Sequence, residues 1–255
     1  MTSAHLKTAL VTGGARRIGA AIVRDLAAHG YTVAIHASAS LEDASAIRNE
    51  ITAAGGRACV VTGDLISREG REALISATNE LIGPIDLLVN NASIFQRDSI
   101  DEFDEELFDE HFAIHVKTPT VLTRDFLRQL PEGVSGLVVN IIDQRVWSPT
   151  PRFYSYTLSK AALYFATQTA AQALAPRVRV NGIGPGPTLP AARQTEADFQ
   201  KQVAGLIMKR AAGLDEFGRT IRFLHETPSI TGQMIALDGG QHLAWQTPDV
   251  AEVVE

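Results

Sequence analysis

The sequence predicts an α/β protein: a single doubly wound parallel sheet of about seven strands with helices on both faces, in one domain covering residues 1–255. Three observations carry this expectation. Seven short runs are apolar and rich in β-branched residues, amphipathic stretches of helical period separate them, and no composition break or low-complexity linker interrupts the series. The strand runs fall at 8–11, 32–36, 58–62, 87–89, 136–141, 178–183 and 234–237. Each is apolar throughout instead of alternating, as strands are when helices cover both faces. Helical patterns occupy 18–29, 41–54, 67–81, 105–130, 153–174 and 215–225. Gly30, Gly55 with Gly56, and Gly83 before Pro84 stand where helices should stop. Strand-helix repetition of this kind implies right-handed βαβ units. Residues 185–197 break the regularity. This Gly/Pro-rich stretch is too long for an ordinary connection and reads as a lid over a site. The acidic residues 247–255 read as a frayed end.

Composition removes several classes of function. With 45% hydrophobic and 20% charged residues, the chain is neither disordered nor fibrous. A net charge of −6 without any basic block argues against nucleic acid or an anionic membrane surface as partner. Cys59 is the sole cysteine, too few for a disulfide or a zinc site. None of the seven histidines has metal-ligand spacing, so no metal is expected. No apolar run approaches the roughly 18 residues that span a bilayer. The polar opening 1–7 leads straight into the first strand run without a secretory signal, so a cytoplasmic protein is expected.

Directly after the first strand run comes Thr12-Gly13-Gly14-Ala15-Arg16-Arg17-Ile18-Gly19, then a helix. A tight glycine turn feeding a helix N-terminus gathers free backbone N–H groups and the positive end of the helix dipole, where a pyrophosphate can sit. The position of the turn, after the first strand of a long βαβ series, favours a nucleotide over a plain connection. An acid at the end of the second strand would bind the ribose hydroxyls of NAD(H) and repel a 2′-phosphate. Here that stretch carries His36 and Ser38 and no acid, while Arg16 and Arg17 sit in the turn. NADP(H) is therefore the expected cofactor, with His36 and Ser38 assigned to its site.

Tyr156 and Lys160 lie four apart in a helical pattern and so share one face. A cation beside a phenol should favour the ionised form and lower the tyrosine pKa toward the working range of an acid/base catalyst.

In order and spacing, the set Thr12-Gly13-x-x-x-Arg17-x-Gly19, Asp64-Leu65, Asn90-Asn91-Ala92-Ser93, Tyr156-x-x-x-Lys160, Pro185-Gly186 and Leu237-Asp238-Gly239-Gly240 resembles the short-chain dehydrogenase/reductase family over nearly the whole chain. The resemblance implies a Rossmann-type sheet with a nicotinamide cofactor across the carboxyl ends of its strands. It implies Tyr156 as proton donor and Lys160 on the nicotinamide ribose. Gly13, Ile18, Gly19, Asp64, Leu65, the Asn91-Ala92 backbone, Ser93, Pro185 and Gly186 would then line the cofactor. It also implies an assembly of identical subunits, as a tetramer.

Departures narrow the resemblance. Arg17 stands where most members have glycine, Ser93 where most have glycine, and Asp143 where most have serine. Together these resemble the pteridine reductase branch, including the bacterial dihydromonapterin/dihydrofolate reductases. His115 replaces the asparagine that holds a catalytic water in the broader family. The expected reaction is NADPH-dependent reduction of a C=N bond in a dihydropterin: dihydrobiopterin, dihydromonapterin or dihydrofolate. Phe95 would stack on the flat substrate, Ser93 and Arg17 would hydrogen-bond it or the cofactor phosphates, and Asp143 would hold the phenol or a relaying water. Asp143, Tyr156 and Lys160 are thus the candidate catalytic residues. The alternatives are an NADP-dependent carbonyl reductase, and a regulator that binds the nucleotide without turnover.

Overall fold

The computed structural model describes residues 6–191 and 194–246. The expected tail 247–255 and two residues of the expected irregular stretch, 192 and 193, lie outside the described residues. Seven strands form one parallel sheet: β1 (Thr8–Val11), β2 (Thr32–Ala37), β3 (Arg57–Thr62), β4 (Leu87–Asn90), β5 (Gly136–Ile141), β6 (Val178–Pro185) and β7 (Met234–Leu237). Their order is β3-β2-β1-β4-β5-β6-β7. The winding reverses between β1 and β4, which opens a crevice beyond the carboxyl ends of these strands.

Alternation along each strand feeds two separate cores, one per face. Ala9, Val11, Leu87, Val89, Leu137 and Val139 point to one face. There they meet Ile22, Val23 and Leu26 of α1 (Arg17–Ala28), Ile47 and Ile51 of α2 (Leu41–Ala53), and Phe217, Ile221 and Leu224 of the helix Leu214–Glu226. Leu10, Leu88 and Val138 point the other way, onto Leu74 and Ile75 of α3 (Arg68–Ile82) and Leu122 and Phe126 of the helix Thr118–Gln129. Both faces being buried explains why the strand runs are apolar throughout.

The expected single helix over 105–130 is divided. α4 spans Glu105–Phe112 and α5 spans Thr118–Gln129, with a π-helical turn at Ala113–Lys117 between them. Pro119 explains the break, because it has no N–H to close an α-helical bond onto the His115 carbonyl. α6 (Tyr154–Leu174) carries the tyrosine-lysine pair. The irregular stretch is shorter than expected: α7 (Glu196–Ala204) is capped by Thr195, whose hydroxyl accepts from the Asp198 N–H. α8 is Leu214–Glu226.

Candidate active site

The turn after β1 is held by side chains from neighbouring strands. Thr12 Oγ1 accepts from the N–H groups of Asn91 (2.9 Å) and Ala92 (3.0 Å). Asn91 Nδ2 donates back to the carbonyls of Thr12 (2.9 Å) and Gly13 (3.1 Å). Gly13 has φ +60°, and a side chain on Gly19 would run into the Gly13 carbonyl and the Asn91 amide. α1 starts without a side-chain cap and without an acid in its first turn, so its leading N–H groups are unclaimed. This uncapped, glycine-walled helix start is the fit for a pyrophosphate.

His36 does different work from that expected. Its Nδ1 accepts from the Gly13 N–H at 3.1 Å, so Nε2 carries the proton and donates to the Gly63 carbonyl at 3.0 Å. Burial lowers its pKa, which keeps the ring neutral. His36 therefore braces the turn from behind and does not line the cleft. Leu65 is a core side chain, 3% exposed, and Ser38 and Asp64 are exposed outside the cleft lining, Asp64 turned back to accept from the Ile66 N–H at 3.0 Å. Arg16 and Arg17 do line it. The exposed Arg16 pairs with Asp43, and Arg17, with φ +51°, donates to the Pro190 carbonyl at 3.1 Å and the Leu189 carbonyl at 3.4 Å. Arg17 thus ties the turn to the start of the stretch after β6.

A cleft of about 1080 Å³ joins this turn to the catalytic candidates: Ser93, Phe95, Asp143, Tyr156, Lys160, Pro185 and Gly186 all line it. Tyr156, 6% exposed, donates its phenol proton to Asp143 Oδ2 at 2.8 Å. Asp143 is fixed in turn, its Oδ1 accepting from the Arg145 N–H at 2.8 Å and its Oδ2 facing the Arg145 guanidinium at 3.4 Å. Lys160, 2% exposed, donates to the Ile141 carbonyl at 2.8 Å, and its Nζ lies 5.6 Å from the Tyr156 ring centroid. Burial lowers the lysine pKa to about 8, against the opposing pull of Asp143.

The phenol departs from the expectation that a nearby cation would lower its pKa. Burial, then the Asp143 charge and the hydrogen bond to it, push Tyr156 well above 10, with only Arg145 pulling down. Asp143 acts on the phenol because it contacts the hydroxyl directly, at 2.8 Å. Tyr156 is therefore a protonated acid at neutral pH.

Phe95 stacks on Phe153 (centroids 4.3 Å, 10° between planes) and meets Tyr156 edge-on at 4.8 Å, while remaining 42% exposed. Phe153 itself lines the cleft from a left-handed backbone, φ +61°, at the start of α6. Its N–H donates to the Asp98 carbonyl at 2.9 Å, and the buried Asp98 carboxylate accepts from the Ser155 N–H and hydroxyl. Strain of this kind, of order 1–3 kcal/mol, persists only where the surroundings hold it. Sequence reasoning missed Phe153, Arg145 and Asp98, and also Ser159, which is bonded to His115. Phe153 and Arg145 lie within three residues of Tyr156 and Asp143, the one cue available. Asp98 gave no cue, since Ser155, which its carboxylate holds, is 57 residues away. Trp147 packs on His242 (4.9 Å) outside the cleft lining.

A doubly wound sheet with an uncapped glycine turn after its first strand, and a tyrosine-lysine pair at the carboxyl end of its fifth, defines a nucleotide-dependent oxidoreductase. The short chain dehydrogenase family profile matches residues 7–201, and the chain belongs to that family. Among solved structures, it is similar to FolM alternative dihydrofolate reductase 1 from Brucella canis, complexed with NADP: 58% identical, covering 98% of both chains, TM-score 0.94. The Brucella suis protein of that name, also in complex with NADP, is 58% identical over 98% of this chain and 100% of its own, TM-score 0.94. An uncharacterized oxidoreductase of Methylorubrum extorquens is 32% identical over 94% of this chain and 99% of its own. Among the described residues, no helix is long and apolar enough to cross a membrane.

Proposed function

We propose that this enzyme reduces a C=N bond of a dihydropterin, dihydrofolate included, with NADPH, and that Tyr156 gives the proton. The observation that carries the reading is the buried phenol-carboxylate pair of Tyr156 and Asp143, 2.8 Å apart, in the same cleft as the phosphate turn. Support also comes from the Brucella dihydrofolate reductases, over half identical along almost the whole chain and complexed with NADP.

The N–H groups opening α1 would hold the pyrophosphate, with Arg16 and Arg17 reaching the 2′-phosphate and Lys160 the nicotinamide ribose. Bound there, NADPH supplies the hydride. Phe95 and Phe153 wall the substrate side and exclude water from it. Tyr156 Oη protonates the nitrogen adjacent to the reduced carbon. A phenol with a raised pKa suffices, because a nitrogen anion formed by hydride addition is a far stronger base. Asp143, clamped by Arg145, holds the phenol in place and does not itself need to move; the hydroxyl turns its single proton from Oδ2 to the nitrogen as that anion forms. Lys160 offsets the phenolate charge until solvent restores the proton.

Tyr156→Phe should lower kcat by 10²–10⁴-fold, roughly the worth of a general acid, while NADPH affinity by fluorescence titration stays within about threefold. Full turnover in that variant removes Tyr156 from the chemistry. Relatives 28–29% identical to this chain include the ketoreductase LanV and a 3-oxoacyl-[acyl-carrier-protein] reductase, so the panel includes ketones and acyl thioesters. NADPH oxidation with those substrates and with no dihydropterin replaces the reading by carbonyl reduction; oxidation with none of them, despite NADPH binding, replaces it by a non-catalytic regulator. The enzyme is further proposed to be a cytoplasmic homotetramer: Phe165, 63% exposed on α6, suits burial by another subunit, and light scattering of the purified protein tests the assembly.

A further inference from the structure

Behind the cleft wall, a line of three side chains connects Ser93, the π-turn and α6. Ser159 has a single hydroxyl proton and donates it to the Tyr156 carbonyl at 2.8 Å. A carbonyl can only accept, so Ser159 Oγ must accept from His115 Nδ1, also 2.8 Å away. Nδ1 is therefore the protonated ring nitrogen. Burial first, then Lys160 and His111, hold His115 neutral, which leaves Nε2 as an acceptor. Ser93 Oγ lies 2.8 Å from Nε2 and donates to it. The reversed line would need Ser93 to donate to the Ile94 carbonyl at 3.2 Å and would forfeit the 2.8 Å bond at Tyr156. Bond length favours the first arrangement. His115 reaches both serines because it sits in the π-turn, 1% exposed.

Ser93 also lines the cleft. We infer that His115 is a positioning residue that sets the polarity of Ser93, turning its proton inward so that the oxygen faces the cleft as an acceptor for an amino or ring N–H group of the substrate. The inference rests on the proposed pterin substrate. It removes one of the two roles expected for Ser93, since a hydroxyl whose proton is engaged cannot donate to a phosphate oxygen. It also gives His115 a different task from holding a water.

Inhibition constants test it, using 2,4-diaminopteridine and its analogues with methyl in place of the 2- or the 4-amino group. In the unaltered enzyme one methyl replacement should weaken binding about tenfold or more, the effect of leaving the serine oxygen unpaired. In His115→Phe that discrimination should fall below about threefold while KM for NADPH holds. His115→Asn, which keeps the reach to Ser159 and loses the reach to Ser93, should behave alike and covers the case in which the phenylalanine variant does not fold. Undiminished discrimination in either variant overturns the inference. The ¹⁵N shifts of the His115 ring decide the polarity independently of any substrate: protonation at Nδ1 alone is expected, and a proton at Nε2 refutes it. Failure of every pteridine to bind refutes the proposed reaction instead, with the ring shifts still deciding the role of His115.

Discussion

Asp143→Asn removes a charge and almost no volume, so its effect isolates what the carboxylate does. Both oxygens of Asp143 accept, Oδ2 from the Tyr156 phenol at 2.8 Å and Oδ1 from the Arg145 N–H at 2.8 Å. An asparagine has one accepting oxygen and one donating nitrogen, so it can serve one of these donors and must face the other with N–H groups. The hydrogen bond lost joins a neutral donor to a charged acceptor in a buried site, worth about 1.5–3 kcal/mol. At about 1.4 kcal/mol per factor of ten, kcat/KM for the dihydropterin should fall roughly 10- to 150-fold. NADPH affinity should change by less than about threefold, because the phosphate turn is held by Thr12, Asn91 and His36 and not by Asp143. Steady-state kinetics with dihydrofolate or dihydromonapterin, paired with fluorescence titration of NADPH, reads both quantities. Asp143→Ser, which accepts one bond and carries no charge, should fall in the same range. An unchanged kcat/KM in Asp143→Asn refutes the reasoning, and so does a loss that appears equally in NADPH affinity.

Arg16→Ala and Arg17→Ala should each lower the preference for NADPH over NADH by about tenfold, the worth of a charged hydrogen bond to phosphate, and the ratio of kcat/KM for the two coenzymes checks it. Lys160, with its pKa lowered to about 8 from 10.5, should lose its ammonium as pH rises through 8, and kcat/KM should decline on that limb. Stability moves oppositely: the unfolded chain holds this proton up to about 10.5, so the lysine's contribution to folding improves between 8 and 10.5, and denaturant titrations of the native protein against Lys160→Met reveal the difference. Phe126, fully buried where α5 packs on the sheet, should cost about 3–5 kcal/mol when changed to alanine, read by urea denaturation, with NADPH binding retained in the folded fraction.

Strand runs and helix patterns were legible because they depend on local periodicity, and the turn and the Tyr156/Lys160 pair because each is a short segment with fixed spacing; Asp143 was legible only through the family resemblance, as the residue standing where most members have serine. The apolar strand runs, taken with the helical patterns that separate them, determined a parallel sheet covered on both faces, since helices on both sides bury every side chain of such a run. Other features depend on chain segments far apart in sequence. His36 fell on the cofactor side by its position after β2, yet its ring is consumed by Gly13 and Gly63, 23 and 27 residues away. Leu65 matched a motif but its side chain faces the core. The helix break at Pro119 was passed over by the expected single helix over 105–130, and its use, swinging His115 between Ser93 and Ser159, required the packing of α6 against the π-turn. Tertiary structure alone decided the direction of the Tyr156 shift: burial of the phenol, and then the Asp143 carboxylate bonded to it, both oppose ionisation, and neither is contained in spacing along a helix.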